Sequence, residues 1–262
     1  MKDDAAQASP GQLVTPVIRG MKLLRYIAEG GNTSNLSEVG RLIDVNRVTI
    51  MRLLATLQHD GLIEALPQGG HRLSTGFLAM AAASLGSLDL VQAGRRYLES
   101  LCRDLGASVY LVLPDGNDVL YVAREMPEGG LVSHIRVGSR VPDYLTAPGR
   151  AMLACFDAAD IARRFTNASL QQVQAGNPAT VDALQALLAE VREQGCAWSF
   201  SGYEKGINAC AAAVRAVNGK PLAALSVVGP EQLFDKAGRF QARVQALITS
   251  AAQDLSVIAQ QL

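Results

Sequence analysis

Residues 46–61, NRVTIMRLLATLQHDG, constrain the chain more than any other stretch. Asn46 is a helix-capping residue and Gly61 a helix stop. At about 100° per residue, Ile50, Leu53, Leu54 and Leu57 fall on one face, which suits a core. The other side carries Val48, Arg52, Ala55 and His59, with Met51 and Thr56 beside them. Two readings account for apolar side chains and arginines together in solvent. One is the solvated face of a small helical interaction domain. The other is a surface for the DNA major groove, where arginine grips guanine edges or phosphates and Val48 and Met51 meet thymine methyls.

The flanking segments favour the second. Val17, Met21, Leu24 and Ile27 repeat at helical spacing, and Gly30-Gly31 ends that helix. Asn35 followed by Glu38 has the spacing of a capping box, which starts a short helix ending near Ile43. After the third helix, Leu62–Leu66 and His71–Leu73 can pair as a ribbon across Pro67-Gln68-Gly69-Gly70. The helix N-terminus itself favours phosphate. The residues expected to face DNA are therefore Asn46, Arg47, Val48, Thr49, Met51 and Arg52. From the ribbon, Arg72 is expected on phosphate with His71 beside it.

Bulk charge adds little. The 262 residues carry 24 basic and 24 acidic side chains, which argues against coating nucleic acid or membrane by bulk attraction but leaves room for a local basic patch. A specific site, two copies of the chain, or both are required. The four cysteines (Cys102, Cys155, Cys196 and Cys210) show no CxxC spacing, which argues against a zinc ribbon or redox pair and for reduced thiols. The polar start is no secretory signal, and the apolar stretch near Leu78–Val91 is broken by Ser84, Gly86, Ser87 and Asp89. It falls short of the roughly 20 apolar residues of a membrane span. A cytoplasmic protein with no membrane partner, metal or cofactor is expected.

Residues 1–14 read as a flexible tail and 15–76 as the helical unit with its ribbon. A connecting helix is expected at 77–92, and 93–262 form a longer domain. There, strands are expected at Ser108–Leu113, Val119–Arg124 and Leu131–Val137. Helices are expected at Ala147–Phe156, Ala158–Phe165 and from the Thr180 cap to Gly195. Two strands flank Asn218-Gly219, and an amphipathic helix carries Phe240, Val244, Leu247, Ile248, Ala251, Leu255 and Ile258. Hairpins followed by helices give an α+β class. Thr146 can cap a helix opening Ala147-Pro148-Gly149. That is either an ordinary helix start with proline in its first turn or an anion site.

LSEVGRLIDVNRVTIMRLLATLQHDGLIE followed by HRLS resembles the winged helix-turn-helix of the IclR family of bacterial transcription regulators. The resemblance continues through VGSRVPDYLTAPGRAMLA, GYEKGINACAAAV and GKPLAALSVVGP, and so spans nearly the whole chain after the tail. It implies a DNA-binding domain, a linker helix and a GAF-like α/β effector-binding domain, assembled as a homodimer or homotetramer. It places an effector, a small organic acid with an aromatic or longer aliphatic body, near Ala147, Pro148 and Gly149. Ser133 (on a strand), Ser199, Ala209 and Ser226 match the same pocket.

The sequence departs from the family at several points. Asp44 stands where the turn usually has glycine, at a position that often needs a left-handed backbone. Val48 and Met51 replace polar residues, which implies a shifted preference toward thymine. Pro148 removes an amide donor. Alanine at 209 moves the cysteine to Cys210, on the opposite face of its strand. Val228 replaces a frequent serine, which makes the pocket more apolar.

Enzyme readings find little support. His59, His71 and His134 lie in separate elements without metal spacing. Glu204-Lys205 reads as a surface pair, and Cys210 lacks a suitable histidine. The remaining alternative to an effector-controlled DNA-binding regulator is a small-molecule sensor acting through protein contacts. For the regulator, two half-sites about 34 Å apart and a partly palindromic operator are expected.

Overall fold

The computed structural model describes residues 13–86, 89–129, 133–174, 176–234 and 238–261. Residues 1–12 of the expected tail, residues 131–132 of one expected strand and residues 87–88 of the expected connecting helix lie outside these. The chain divides into two compact units, with the boundary between residues 87 and 88.

The first unit runs α1 (Thr15–Ala28), α2 (Leu36–Ile43), α3 (Arg47–His59), β1 (Ile63–Ala65), β2 (His71–Leu73) and α4 (Thr75–Gly86). Its core joins Leu23, Leu24 and Ile27 of α1 to Val39, Val45, Ile50, Leu54 and Ile63. Leu23, Val39 and Ile50 are fully buried, and each such aliphatic side chain stabilises by about 1.5–3 kcal/mol. Both expected caps form. Asn35 accepts from the Glu38 amide at 3.3 Å, and Asn46 from the Thr49 amide at 2.8 Å.

Two residues set the angle between α2 and α3. Asp44 ends α2 in the left-handed region, φ 56° and ψ 54°. Gly40 lets the turn fold back: a β-carbon there would lie 2.6 Å from the Val45 carbonyl oxygen and 3.5 Å from Ile50 Cδ1. The ribbon pairs Ile63 with Leu73, Glu64 with Arg72 and Ala65 with His71. His71 Nδ1 meets the buried Thr33 hydroxyl at 2.9 Å, which ties the ribbon to the α1–α2 loop.

The second unit begins with α5 (Asp89–Leu105), β3 (Ser108–Asp115), β4 (Asp118–Glu125), β5 (Arg140–Pro142), α6 (Ala147–Leu153), α7 (Ala158–Arg164) and α8 (Val181–Gln194). It closes with β6 (Ala197–Phe200), β7 (Ile207–Arg215), β8 (Pro221–Pro230), α9 (Glu231–Phe234) and α10 (Arg239–Ala259). The six strands form one antiparallel sheet in the order β5-β4-β3-β8-β7-β6. One face packs on α5 and α10 through Leu98, Leu101, Leu111, Cys210, Leu225, Val227, Val244 and Ile248. The other face meets α6 and α8 through Ala147, Leu153, Leu184, Leu188, Ala197 and Ala211. Burial on both faces explains why β7 and β8 read as nearly continuous apolar runs. The α+β class expected from the sequence is the class observed.

The strand expected at Leu131–Val137 is absent over residues 133–137, and the edge strand is Arg140–Pro142 instead. The reason is local. Ser133 Oγ accepts from the Ile135 amide at 3.1 Å and Ser139 Oγ from the Arg136 amide at 2.9 Å, while Gly138 turns at φ 94°. Such bonds compete with a strand ladder. α6 stops at Leu153, before the expected Phe156, and the short β5, β6 and α9 carry too little periodicity to be predicted.

Replacing Gly40 with Ala is expected to destabilise the first unit by about 1–3 kcal/mol, because the Val45 carbonyl is fixed backbone. Denaturant unfolding of the full chain, followed unit by unit, measures this; an unchanged first-unit midpoint would contradict it.

Candidate DNA-reading surface and effector pocket

On α3, Val48 is 64% exposed and Met51 50%, with Arg47 and Arg52 exposed beside them. The face that looked anomalous in the sequence is therefore open. Thr49 is half-buried, and Asn46 commits its carboxamide oxygen to the Thr49 amide. Their first role is to cap the helix. The turn into α3 also gathers Arg19, Arg41 and Arg47 around one shallow cleft. Arg19 and Arg41 had no role assigned from sequence. The signal was three arginines in separate elements, which only the turn angle brings together.

The ribbon behaves differently from expectation. Arg72 Nε lies 2.5 Å from Glu64 Oε1, directly across the strand pair. Its charge is partly answered before any phosphate arrives. Both side chains are well exposed, so the pair adds little stability. Burial lowers the pKa of His71, which favours the neutral ring. With its Nδ1 on Thr33, His71 is a structural tie and not a phosphate cation.

In the sheet unit a small cavity of about 30 Å³ opens between the start of α6 and the sheet. That is well below the roughly 300–1,000 Å³ of small-molecule sites, so an organic ligand requires the lining side chains to move apart. Ser133, Ala147, Pro148, Ser199, Ala209 and Ser226 all line it. These six expected positions come from a loop, a helix and three strands, and the fold brings them together. Ser133 lies in the loop before β5 and not on a strand. Ser226 is fully buried on β8, and its hydroxyl has no hydrogen-bond partner. Ala209 faces the cavity while Cys210 joins the core on the opposite face, as strand alternation requires.

Gly149 is the exception. It does not line the cavity; a β-carbon there would fall 2.0 Å from the Asp143 carbonyl oxygen. Its missing side chain makes room for the chain itself, not for a ligand. The helix end also offers less than expected. Thr146 Oγ1 accepts from the Gly149 amide at 3.2 Å, and the Thr146 carbonyl accepts from the Arg150 amide at 3.0 Å. Pro148 has no N–H. Among the described residues this leaves the Ala147 amide as the one donor of that turn without an assigned acceptor.

Sequence reasoning missed Tyr121, Ile135, Tyr203 and Ile207 in the lining, and misjudged Glu204. Glu204 lines the cavity. Its carboxylate accepts from Ser133 Oγ at 2.8 Å and the His134 amide at 3.2 Å. No ion pair joins it to Lys205 among the described residues. Tyr121 is buried, and its hydroxyl pKa is raised by that burial and by Tyr110 nearby, so it stays a neutral donor. Below the pocket, Asp143 is 3% exposed and is held by Arg164. Burial pushes its pKa up to about 7 against the pull of that guanidinium.

The pattern described as the IclR helix-turn-helix domain matches residues 16–67, and that described as the bacterial transcriptional regulator IclR C-terminal matches residues 82–257. The chain belongs to the IclR family. It is a DNA-binding transcriptional regulator. The HTH-type transcriptional regulator XynR of Escherichia coli (strain K12) is 28% identical over 221 residues, 82% of this chain and 86% of that protein. An IclR-family regulator from Alicyclobacillus acidocaldarius matches in structure with a TM-score of 0.83 at 24% identity, over 94% of this chain and 98% of the other. An IclR homologue from Microbacterium hydrocarbonoxydans, solved in complex with 4-hydroxybenzoate, matches with a TM-score of 0.79 at 21% identity, over 93% and 98%. Among the described residues, no helix of this IclR-family chain is long and apolar enough to cross a membrane.

A carboxyl group raised from 3.8 to about 7 binds a proton more readily in the folded chain. Its contribution to stability is then complete below about pH 4 and is lost as pH rises through about 7. The melting temperature of the sheet unit, relative to an Asp143→Asn variant, is expected to fall over that interval. A constant difference between the two proteins would show that Asp143 keeps an ordinary pKa.

Proposed function

We propose that this regulator binds a partly palindromic operator as a homodimer or homotetramer in the cytoplasm, without catalytic activity or a cofactor. A small organic acid in the α6–sheet cavity sets its affinity for the operator. Residues 15–76 serve as the DNA-binding domain, 77–92 as linker and 93–262 as effector-binding domain. Arg47 and Arg52 grip the groove, Val48 and Met51 favour thymine methyls, and Arg19 and Arg41 steady the backbone at the start of α3.

The observation that carries the effector reading is the unpartnered Ser226 hydroxyl, fully buried on a wall of the cavity. A polar group without water or partner is costly, and a ligand oxygen relieves it. The lining supplies donors at Ser226, Tyr121 and Ala147 and an acceptor at Glu204. That combination suits a hydroxylated acid, whose carboxylate meets the donors and whose hydroxyl donates to Glu204. The related homologue that holds 4-hydroxybenzoate supports this class. The family match to DNA-binding regulators disfavours a sensor that acts only through protein contacts.

Two measurements test the proposal with the operator taken from neighbouring DNA. By fluorescence anisotropy, Arg52→Ala weakens operator binding about tenfold, the scale of one base contact. Arg72→Ala changes it less, because Glu64 already holds that guanidinium. Equal losses would reassign the ribbon. In the same assay, 4-hydroxybenzoate shifts the operator Kd of the unmodified protein by about 5–150-fold, and Ser226→Val removes that shift. An identical response in Ser226→Val would place the effector elsewhere.

A further inference from the structure

A second cavity, of about 240 Å³, lies along the free edge of β6. Leu187 and Val191 of α8 face it from one side and Trp198 and Ser199 of β6 from the other. Arg150 also lines it. Arg150 is only 4% exposed, and its Nε has no hydrogen-bond partner. None of the ion pairs among the described residues includes it. Burial alone draws its pKa down to about 10, with no carboxylate contributing, so it remains charged at neutral pH.

A buried guanidinium without a counter-charge is strongly unfavourable, and folded chains normally pair it. Here a cavity stands where the pairing group belongs. Asn177 supplies a second donor. It is 4% exposed, its oxygen accepts from the Gln174 amide at 2.8 Å, and its Nδ2 has no partner. That Nδ2 lies 3.5 Å from where a β-carbon of Gly202 would sit, and Gly202 lines the same cavity. Two buried donors thus lack acceptors. The carboxylate in the lining, Glu190, is on the exposed side of α8.

We propose that Arg150 and Asn177 form a second ligand site, separate from the Ser226 pocket, which takes a monocarboxylate with an apolar tail. The carboxylate meets the guanidinium in the two-pronged geometry that arginine favours. The tail lies against Leu187, Val191 and Trp198. Glu190 in the lining disfavours a multiply charged anion such as phosphate. Ser199 borders both cavities, so the two ligands share a wall.

Isothermal titration of the full chain with hexanoate, and with neutral hexanamide, tests the assignment. Hexanoate is expected to bind with hexanamide much weaker. Arg150→Met, of similar volume and uncharged, weakens hexanoate about thirtyfold or more, the scale of removing one partner of a buried charge pair. Ser226→Val leaves hexanoate binding within about twofold, which separates this site from the effector pocket. Without ligand, Arg150→Met melts no lower than the unmodified protein, because it removes an unpaired buried charge. Asn177→Asp keeps the side-chain shape and sets a negative charge beside the ligand, so it also weakens hexanoate. No saturable hexanoate binding to the unmodified protein overturns the proposal. Unchanged affinity in both Arg150→Met and Asn177→Asp, or a loss confined to Ser226→Val, does so as well. Should Arg150→Met fail to fold, Arg150 is a structural residue and the proposal falls.

Discussion

The close approach of the Asp143 carbonyl to Gly149 fixes where α6 can lie, and the pocket depends on that. A β-carbon at 149 would be 2.0 Å from that oxygen. Glycine therefore allows the chain leaving β5 to fold under the first turn of its own helix. Thr146 locks the arrangement by accepting from Gly149, and Arg164 holds Asp143 from below. The result sets Ala147 and Pro148 against the strands that carry Ala209 and Ser226. It also uses up most of the helix's free amides. The polar character of the pocket then comes from sheet and loop side chains, chiefly Ser226, Tyr121 and the Ser133–Glu204 pair.

The DNA-reading unit rests on a similar constraint. Gly40 brings the Val45 carbonyl onto α2, and a left-handed Asp44 turns the chain so that Ile50 and Leu54 enter the core. With that face buried, the 3.6-residue period obliges Val48, Met51 and Arg52 to face outward. Their exposure follows from the turn and is not a packing defect. The ribbon is tied by His71 on Thr33, and Arg72 is already engaged by Glu64, so both basic residues have partners within the domain before they meet DNA.

Local chemistry was readable where it acts over three or four residues. The caps at Asn35, Asn46 and Thr180, the Gly195 stop and the Asn218-Gly219 hairpin all depend on such short spacings. The edge of the sheet was not. Ser133 and Ser139 bind their own backbone and defeat the strand that Leu131–Val137 suggests, and β6 is four residues long. The cavity residues Ser133, Ser199, Ala209 and Ser226 were found through a resemblance to a family, since no local pattern joins positions so far apart. Glu204 was misjudged because its neighbour in sequence, Lys205, is not its partner in space; Ser133 is.

By itself the sequence determined the longer helices and the central strands, the α+β class, and the faces of α3 and β7, because hydrophobic periodicity and capping are properties of neighbours along the chain. Only the tertiary structure decided which polar groups have partners. It set Arg72 against Glu64, consumed the amides of α6, and left Ser226 and Arg150 without partners beside two cavities. The physical reason is that burial and hydrogen-bond satisfaction depend on what the fold brings within about 3 Å of an atom, and those groups come from distant parts of the chain.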